Sequence, residues 1–319
     1  MYMFKYILKR IGLMIMTFCI IFVMCFVLIK LLPVDFTQVG LGEDRAKMEA
    51  LLASRGYDKP ILEQLFLYLK RIFVEGDFGV GVNMYQGKNV WGIFVEKLPP
   101  TVFLNIYSSL FAVPLGIFLG ILAALKKNKW QDHLISTLIM IVISVPSFVY
   151  ASLLQFAICY KIPIFPLTMK EGYDYFSWEM FKSMIPAILS LSFGSIAGYA
   201  RGTRAELTEV LTSEFMLLAR TKGLTKQQAT VRHALRNAMV PIFPSIIGEF
   251  ISVLSGSLII EKIFSVPGVG GLYLDAINKK DYDFFMLLSS FYLLIGLAAT
   301  LVIDLSYGVI DPRIRMGAK

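Results

Sequence analysis

Residues 213–243, SEFMLLARTKGLTKQQATVRHALRNAMVPIF, break the pattern of the chain that carries them. On either side the sequence is apolar enough to sit in a bilayer, and here it turns polar and basic while keeping the marks of helix. Ser213 stands where a helix N-cap would, with Glu214 in the first turn, and Arg220 and Lys222 fall in the last turn, matching the helix dipole. Gly223 suits the left-handed residue that ends a helix. Thr225-Lys226-Gln227-Gln228 has the form of a capping box opening a second helix, which runs through His233 and Arg236 toward Pro241. The segment predicts helix, glycine stop, helix. A loop that only satisfied a charge bias would need a few scattered lysines. A shaped hairpin reads instead as a docking surface for another protein or as a structural elbow.

Around it lie six apolar runs: 11–32, 101–125, 134–160, 184–200, 239–260 and 285–310. Each is long enough to cross about 30 Å of hydrocarbon, which takes roughly 20 helical residues, and 184–200 is the shortest. The 319 residues are 56% hydrophobic and 17% charged, with a mean hydropathy of +0.67, outside the range of ordinary soluble domains. The expectation is an all-α polytopic membrane protein with six transmembrane helices. Gly116 and Gly120 stand four apart, as do Gly194 and Gly198, the spacing that lets membrane helices approach closely or that arises by chance.

Basic residues orient the chain. With the N-terminus cytoplasmic, the inside segments hold sixteen basic residues against six acidic, and the outside segments fifteen against sixteen, leaving Glu249 within the fifth run. That asymmetry follows the positive-inside tendency, so the basic balance reports topology and no nucleic-acid partner is invoked. On this orientation both termini are expected on the cytoplasmic side of a cell membrane. The first run is too long for a signal h-region and lacks a small-residue cleavage site, so it reads as a retained helix. Cys19, Cys25 and Cys159 show no metal spacing or disulfide framework, and His133 and His233 are the only histidines, so no metal site is expected.

The expected organisation is 1–32, N-terminal tail and first helix; 33–98, an extracytoplasmic helical region; 99–312, a five-helix core with a cytoplasmic loop 201–238 and an extracytoplasmic loop 261–284; and 313–319, a cytoplasmic tail. In the outside region, 42–56 reads as a helix stopped by Gly56. Residues 59–76 read as an amphipathic helix starting at Pro60, its apolar face needing the membrane surface or its own neighbours. The glycine-rich GDFGVG (76–81) lacks the Gly-Lys-Ser/Thr of a phosphate loop. Tyr173, Tyr175 and Trp178 suit the membrane interface. In 261–284, Pro267-Gly268 and Gly270-Gly271 predict a tight turn, with a short helix to follow.

Within the spans Glu249 is the clearest mid-membrane acid, a costly placement that marks either a functional group or a structural bond to a neighbouring helix. Asn105, Ser190, Ser192, Ser195, Ser252 and Ser255 could line a polar route or bond backbone.

ARTKGLTKQQATVRHALRNAMVP resembles the cytoplasmic loop of ABC-importer permeases, and more closely that of the oligopeptide/dipeptide/nickel group, first-permease type. SRGYDKPILEQLFLYLKRIFVEGDFGVG, IEKIFSVPGVGGLYLDAINKKDYDFF and DLSYGVIDPRIR resemble other blocks of that group, in the same order. Of the broader family's Glu-Ala-Ala only Ala219 is kept, and of its Ile-x-Leu-Pro only Leu235; Arg-His-Ala-Leu-Arg-Asn is the peptide-permease form. The resemblance implies a type I importer permease with a cytoplasmic coupling helix, forming half of the pathway for peptides delivered by an external binding protein. It implies a second homologous permease, two ATPase subunits and surrounding membrane lipid as partners. The chain itself has no Walker A sequence, so ATP and Mg would be bound by the partner subunits, and this chain would be a transport subunit, not an enzyme. Glu214, Ala219, Arg220, Gly223, His233, Leu235 and Arg236 would form the coupling loop; Glu249, Asn105, Ser192 and Ser252 the pathway; Pro267, Gly268 and Gly270 an extracytoplasmic turn. The rival readings are an ion-coupled secondary transporter, which would carry more intramembrane acids and repeats, and a scaffold subunit outside the pore. Within the importer reading, nickel or another small solute is the alternative cargo.

Overall fold

The computed structural model of the chain describes residues 2–32, 43–170, 172 and 174–310. Tyr173 and the tail from 311 onward, with its basic residues, lie outside them. Among the described residues the regular structure is all helical, with one isolated antiparallel bridge, Val80 with Asn89. The helices are α1 (Tyr2–Leu31), α2 (Glu43–Ser54), α3 (Ile61–Lys70), α4 (Val90–Leu125), α5 (Trp130–Ser144), α6 (Ser147–Leu154), α7 (Trp178–Leu211), α8 (Glu214–Thr221), α9 (Lys226–Ala229), α10 (Leu235–Ala238), α11 (Phe243–Ser252), α12 (Leu258–Ile263), α13 (Val269–Asn278) and α14 (Tyr282–Ile310). They form two compact units, one of Met1–Thr101 with Val266–Ala298, the other of Val102–Ser265 with Ala299–Lys319.

Among the described residues four helices are long and apolar enough to cross a membrane: α1, α4, α7 and α14. The run 134–160 becomes α5 and α6, bent by 103° at Val145-Pro146, and counts as a fifth crossing only if the pair is one broken span. Pro146 has no N–H to continue the α5 ladder, which explains the break. The run 239–260 is broken into the ten-residue α11 and the start of α12. Pro241 and Pro244 sit at its start, and Gly256, with φ +63°, turns the chain before α12. Two helices are longer than their apolar runs. α4 starts at Val90 and passes through Pro99 and Pro100, and α7 adds polar turns at both ends, its N-cap Ser177 accepting from the Met180 N–H.

In the first unit, Met84, Val90, Phe94, Val269, Leu272, Phe284 and Leu288 form the main apolar cluster. Beside it Phe22, Phe26 and Ile29 of α1 pack with Tyr68, Tyr282 and Met286. The glycine-rich loop is organised by two acids. Oδ2 of Asp281 accepts the backbone N–H groups of Val82, Asn83 and Met84, each at 2.9 Å, and Oδ2 of Asp283 accepts that of Val80 at 3.0 Å. Tyr57 donates to the other oxygen of Asp283, and Lys30 Nζ lies 3.4 Å from the Tyr57 ring centroid. The loop thus does cradle an anion, and that anion is the protein's own carboxylate.

In the second unit α7 is the central element, with α5, α6 and α10 packed on it. Gly116 and Gly120 press α4 against it: a β-carbon on Gly120 would stand 2.6 Å from the Ala200 carbonyl oxygen and Thr203 Cβ. Gly198 has nothing within 4 Å of such an atom. One glycine pair serves close packing; in the other, a β-carbon on Gly194 would meet Tyr150 Oη at 3.8 Å and Gly198 faces open space. Asp132, buried at the start of α5, is held by Arg204 of α7 (Nε to Oδ1 2.5 Å, Nη2 to Oδ2 2.9 Å).

Candidate functional site

The hairpin of 213–238 hangs directly from the polar end of α7. α8 stops in a Schellman turn: Gly223, at φ +89°, donates to the Arg220 carbonyl (3.0 Å) and Leu224 to that of Ala219 (3.3 Å). Two residues on, Thr225 and Gln228 make both bonds of a capping box, at 3.1 and 3.2 Å. Ser213 has the extended backbone of an N-cap, yet its hydroxyl donates back to the Val210 carbonyl at 2.6 Å and caps nothing. After α9 the helix widens into a π turn over Thr230–Ala234 before α10.

One side of the hairpin is a small-residue core, with Ala124 and Leu207 of the long helices closing over Met216, Ala219, Ala229, Ala234 and Ala238. Ala219 is thus buried in the hairpin's own packing, and Leu235 lies half-buried beside it. The other side is exposed: Phe215, Leu217, Leu218 and Val231 are apolar, and Glu214, Arg220, Lys222, Arg232, His233 and Arg236 border them. An apolar patch rimmed by charge is the usual anatomy of a protein interface.

A second feature lies in the same unit, where α7 meets α11. A cavity of about 380 Å³ is lined by Ser195, Gly198, Tyr199, Gly202, Glu206 and Glu249, among others. Ser195 donates to Glu249 Oε1 at 2.8 Å, and the Tyr199 hydroxyl donates to the Ser245 carbonyl at 3.0 Å. Ser195, Gly198, Gly202 and Glu206 are spaced three and four apart, so they share one face of α7. Glu206 was missed in the sequence because the apolar run ended at 200, whereas helical register continued from Ser195 finds it; Tyr199, inside that run, carried no local mark of a cavity. The cavity combines two carboxylates with hydroxyls and carbonyls, a lining suited to cationic and hydrogen-bonding groups.

The remaining pathway candidates lie apart. Ser192 is buried between α7 and α4, bonding the Ile188 carbonyl (2.7 Å) and Ser108 (3.1 Å). Ser190 bonds the Pro186 carbonyl at 2.8 Å. Asn105 is half-buried on α4, and Ser252 is exposed at the end of α11. In the first unit Gly268 precedes α13 with extended backbone and Gly270 is buried inside that helix, while the left-handed residue near this turn is Ser265, at φ +50°. Of the interface aromatics, Tyr175 stacks on Phe103 (centroids 4.7 Å apart) and Trp178 is exposed.

Comparison with known proteins gives these features a context. Residues 116–316 match the family described as binding-protein-dependent transport system inner membrane component, and 3–105 match the N-terminal part of such membrane components. The chain is 33% identical over 315 residues to the dipeptide transport system permease protein DppB of Lactococcus lactis, covering 98% of this chain and 100% of the relative. It is 34% identical over 320 residues to DppB of Bacillus subtilis, covering 99% and 100%. To the glutathione transport system permease protein GsiC of Escherichia coli it is 32% identical over 315 residues, covering 98% and 99%. An amino acid ABC transporter crystallised with histidines shares the fold, with a TM-score of 0.51 at 18% identity over 68% of this chain and 94% of that one. The chain belongs to the binding-protein-dependent transport system inner membrane components, the multi-pass permease subunits of ABC importers, in which ATP hydrolysis lies in separate subunits.

Proposed function

We propose that this chain imports peptides, forming half of a pathway completed by a second, homologous permease. The observation that carries the cargo reading is full-length identity of 33–34% to two dipeptide permeases. On this reading the chain has type I importer architecture and crosses the membrane six times. The bent α5–α6 pair supplies one crossing, and the broken stretch from α10 to α12 another. Both termini are cytoplasmic, and the region 33–98 faces the external binding protein. The chain binds no cofactor, and ATP and Mg belong to two ATPase partners.

The hairpin is the coupling element. Its exposed apolar patch seats in an ATPase groove, with Arg220, His233 and Arg236 at the rim. Ala219, Gly223 and Leu235 act by shaping the hairpin, and Glu214 by opening α8. Closure of the ATPase pair then moves α7 as a lever, switching the pathway between two access states. Glu249, with Ser195, lines the pathway through the α7–α11 cavity, where the carboxylate meets the substrate's amino terminus. Asn105, Ser192 and Ser252 complete the polar route, and Pro267, Gly268 and Gly270 shape the extracytoplasmic turn.

The test is peptide uptake by vesicles holding the full importer. Gly223→Pro removes both the N–H and the positive φ that end α8. It is expected to abolish uptake while the ATPase still turns over and the chain still inserts. Wild-type uptake in that variant would refute the coupling role. Uptake without ATP, or with a catalytically dead ATPase, would refute the importer reading.

A further inference from the structure

We infer that α3 is a lipid-binding helix, holding an anionic phospholipid of the leaflet at the C-terminal end of α1. Ile61, Leu65, Tyr68 and Ile72, spaced four, three and four apart, face the cluster built on α1 and α14. A second apolar flank, on α3 and the π turn Arg71–Glu75 that continues it, is uncovered among the described residues: Leu62 is 76% exposed, Phe66 68%, Phe73 82% and Val74 73%. A soluble surface rarely shows so dense a row of large apolar side chains.

The level of α3 along α1 identifies what covers that flank. Tyr68 packs on Phe22 and Phe26, and Tyr57, just before α3, sits over Lys30. So α3 runs beside the last third of α1. That helix, at 30 residues, is about 45 Å long, enough to span hydrocarbon and both headgroup layers. Its last third therefore passes through the upper acyl chains and headgroups of one leaflet. Most of α1 is itself exposed and apolar, so the flank of α3 continues a surface that already faces lipid.

Charge specifies the headgroup. Against α3 lies a cavity of about 490 Å³ lined by Arg55, Lys59, Lys70 and Arg71, with Glu75 and Asp77 as its acids. Asp77 is engaged by Arg55 at 3.0 Å. Arg55 Nη1 and Arg71 Nε are buried and meet no acceptor among the described residues. Arg71 also donates through Nη1 to the Arg55 carbonyl at 3.1 Å. The cations lining the cavity, Lys70 and Arg71 among them, suit an anionic oxygen, and a lipid phosphate has several. An apolar flank beside a cationic pocket is the amphipathic pattern of a helix lying in a membrane interface.

The experiment uses the whole importer in vesicles of phosphatidylcholine brominated on its acyl chains, with and without phosphatidylglycerol. The added emission of Phe66→Trp over the parent is expected to be quenched by bromine, as is that of an Ile15→Trp control on the exposed face of α1. Quenching of the control alone would overturn the inference, and a blue-shifted but unquenched Trp at 66 would assign the flank to the second permease instead. Lys70→Gln, at an exposed side chain, is expected to weaken phosphatidylglycerol retention in native mass spectrometry by ~5-fold; Lys59 is left intact because it is paired with Glu63 at 2.6 Å. Unchanged retention would overturn the headgroup assignment.

Discussion

Replacing Asp281 by alanine removes the one oxygen on which the backbone of Val82, Asn83 and Met84 converges. Asp281 is fully buried, so water does not substitute for it. A buried donor without a partner costs about 1–3 kcal/mol, so three cost ~3–9 kcal/mol. The carboxylate is itself unfavourable there. Burial, aided by the charge of Asp283, pushes its carboxyl from 3.8 up to about 6, although the three N–H bonds pull it down. Relief of that rise returns ~3 kcal/mol, leaving a net loss of ~0–6 kcal/mol centred near 3. An asparagine side chain would keep an acceptor and lose the charge, so Asp281→Asn is expected to stay within ~1 kcal/mol of the parent.

The same carboxyl sets a pH dependence. Its folded value lies above its unfolded one, so between about pH 4 and 6 the folded chain binds more protons. Stability therefore rises as pH falls through that window, by up to ~3 kcal/mol, and is level above it. Oδ1 of Asp281, buried and meeting no donor among the described residues, is the atom available for that proton. Hydrogen exchange of the peptide covering 79–90, in the reconstituted importer, reads both effects. Fast exchange in Asp281→Ala, protection in Asp281→Asn and a smaller acid-side gain in both variants are expected. Full protection in the alanine variant, or equal damage from asparagine, would refute the account.

Two further substitutions test the packing of the second unit. Gly120→Leu forces a side chain into backbone and is expected to lower thermal stability in detergent by more than the ~1–3 kcal/mol of ordinary overpacking, whereas Gly198→Leu, which has room, should leave stability unchanged and reduce peptide uptake by narrowing the cavity. Asp132→Ala strands Arg204, whose side chain is 34% exposed and so partly hydrated; the expected loss is ~1–3 kcal/mol, below that of a fully buried pair, and is read from the unfolding temperature.

The parts legible in the sequence were those fixed by neighbours a few residues apart. Gly223 and the Thr225–Gln228 box specify the hairpin with bonds spanning no more than five residues, and any reading of local chemistry finds them. Apolar runs gave the all-helical class, but not the helix ends. α4 passes through Pro99 and Pro100, while the fifth run breaks at prolines that looked equally tolerable. Which of two glycine pairs packs was also hidden, because that depends on what lies opposite: α7 faces Gly116 and Gly120, and nothing faces Gly198. Asp132–Arg204, 72 residues apart, and Asp281 with the loop at 82–84 left no local mark.

That last pairing also has a consequence in time. Val82 leaves the ribosome 199 residues ahead of its carboxylate partner. At about 5–20 residues per second the loop waits ~10–40 s for Asp281, while the hairpin can close as soon as its own residues emerge. During synthesis this loop is therefore late to form, although it lies in the first third of the chain. A chain cut short anywhere before residue 281 would present this loop unformed, so the pairing doubles as a record that synthesis has passed residue 281.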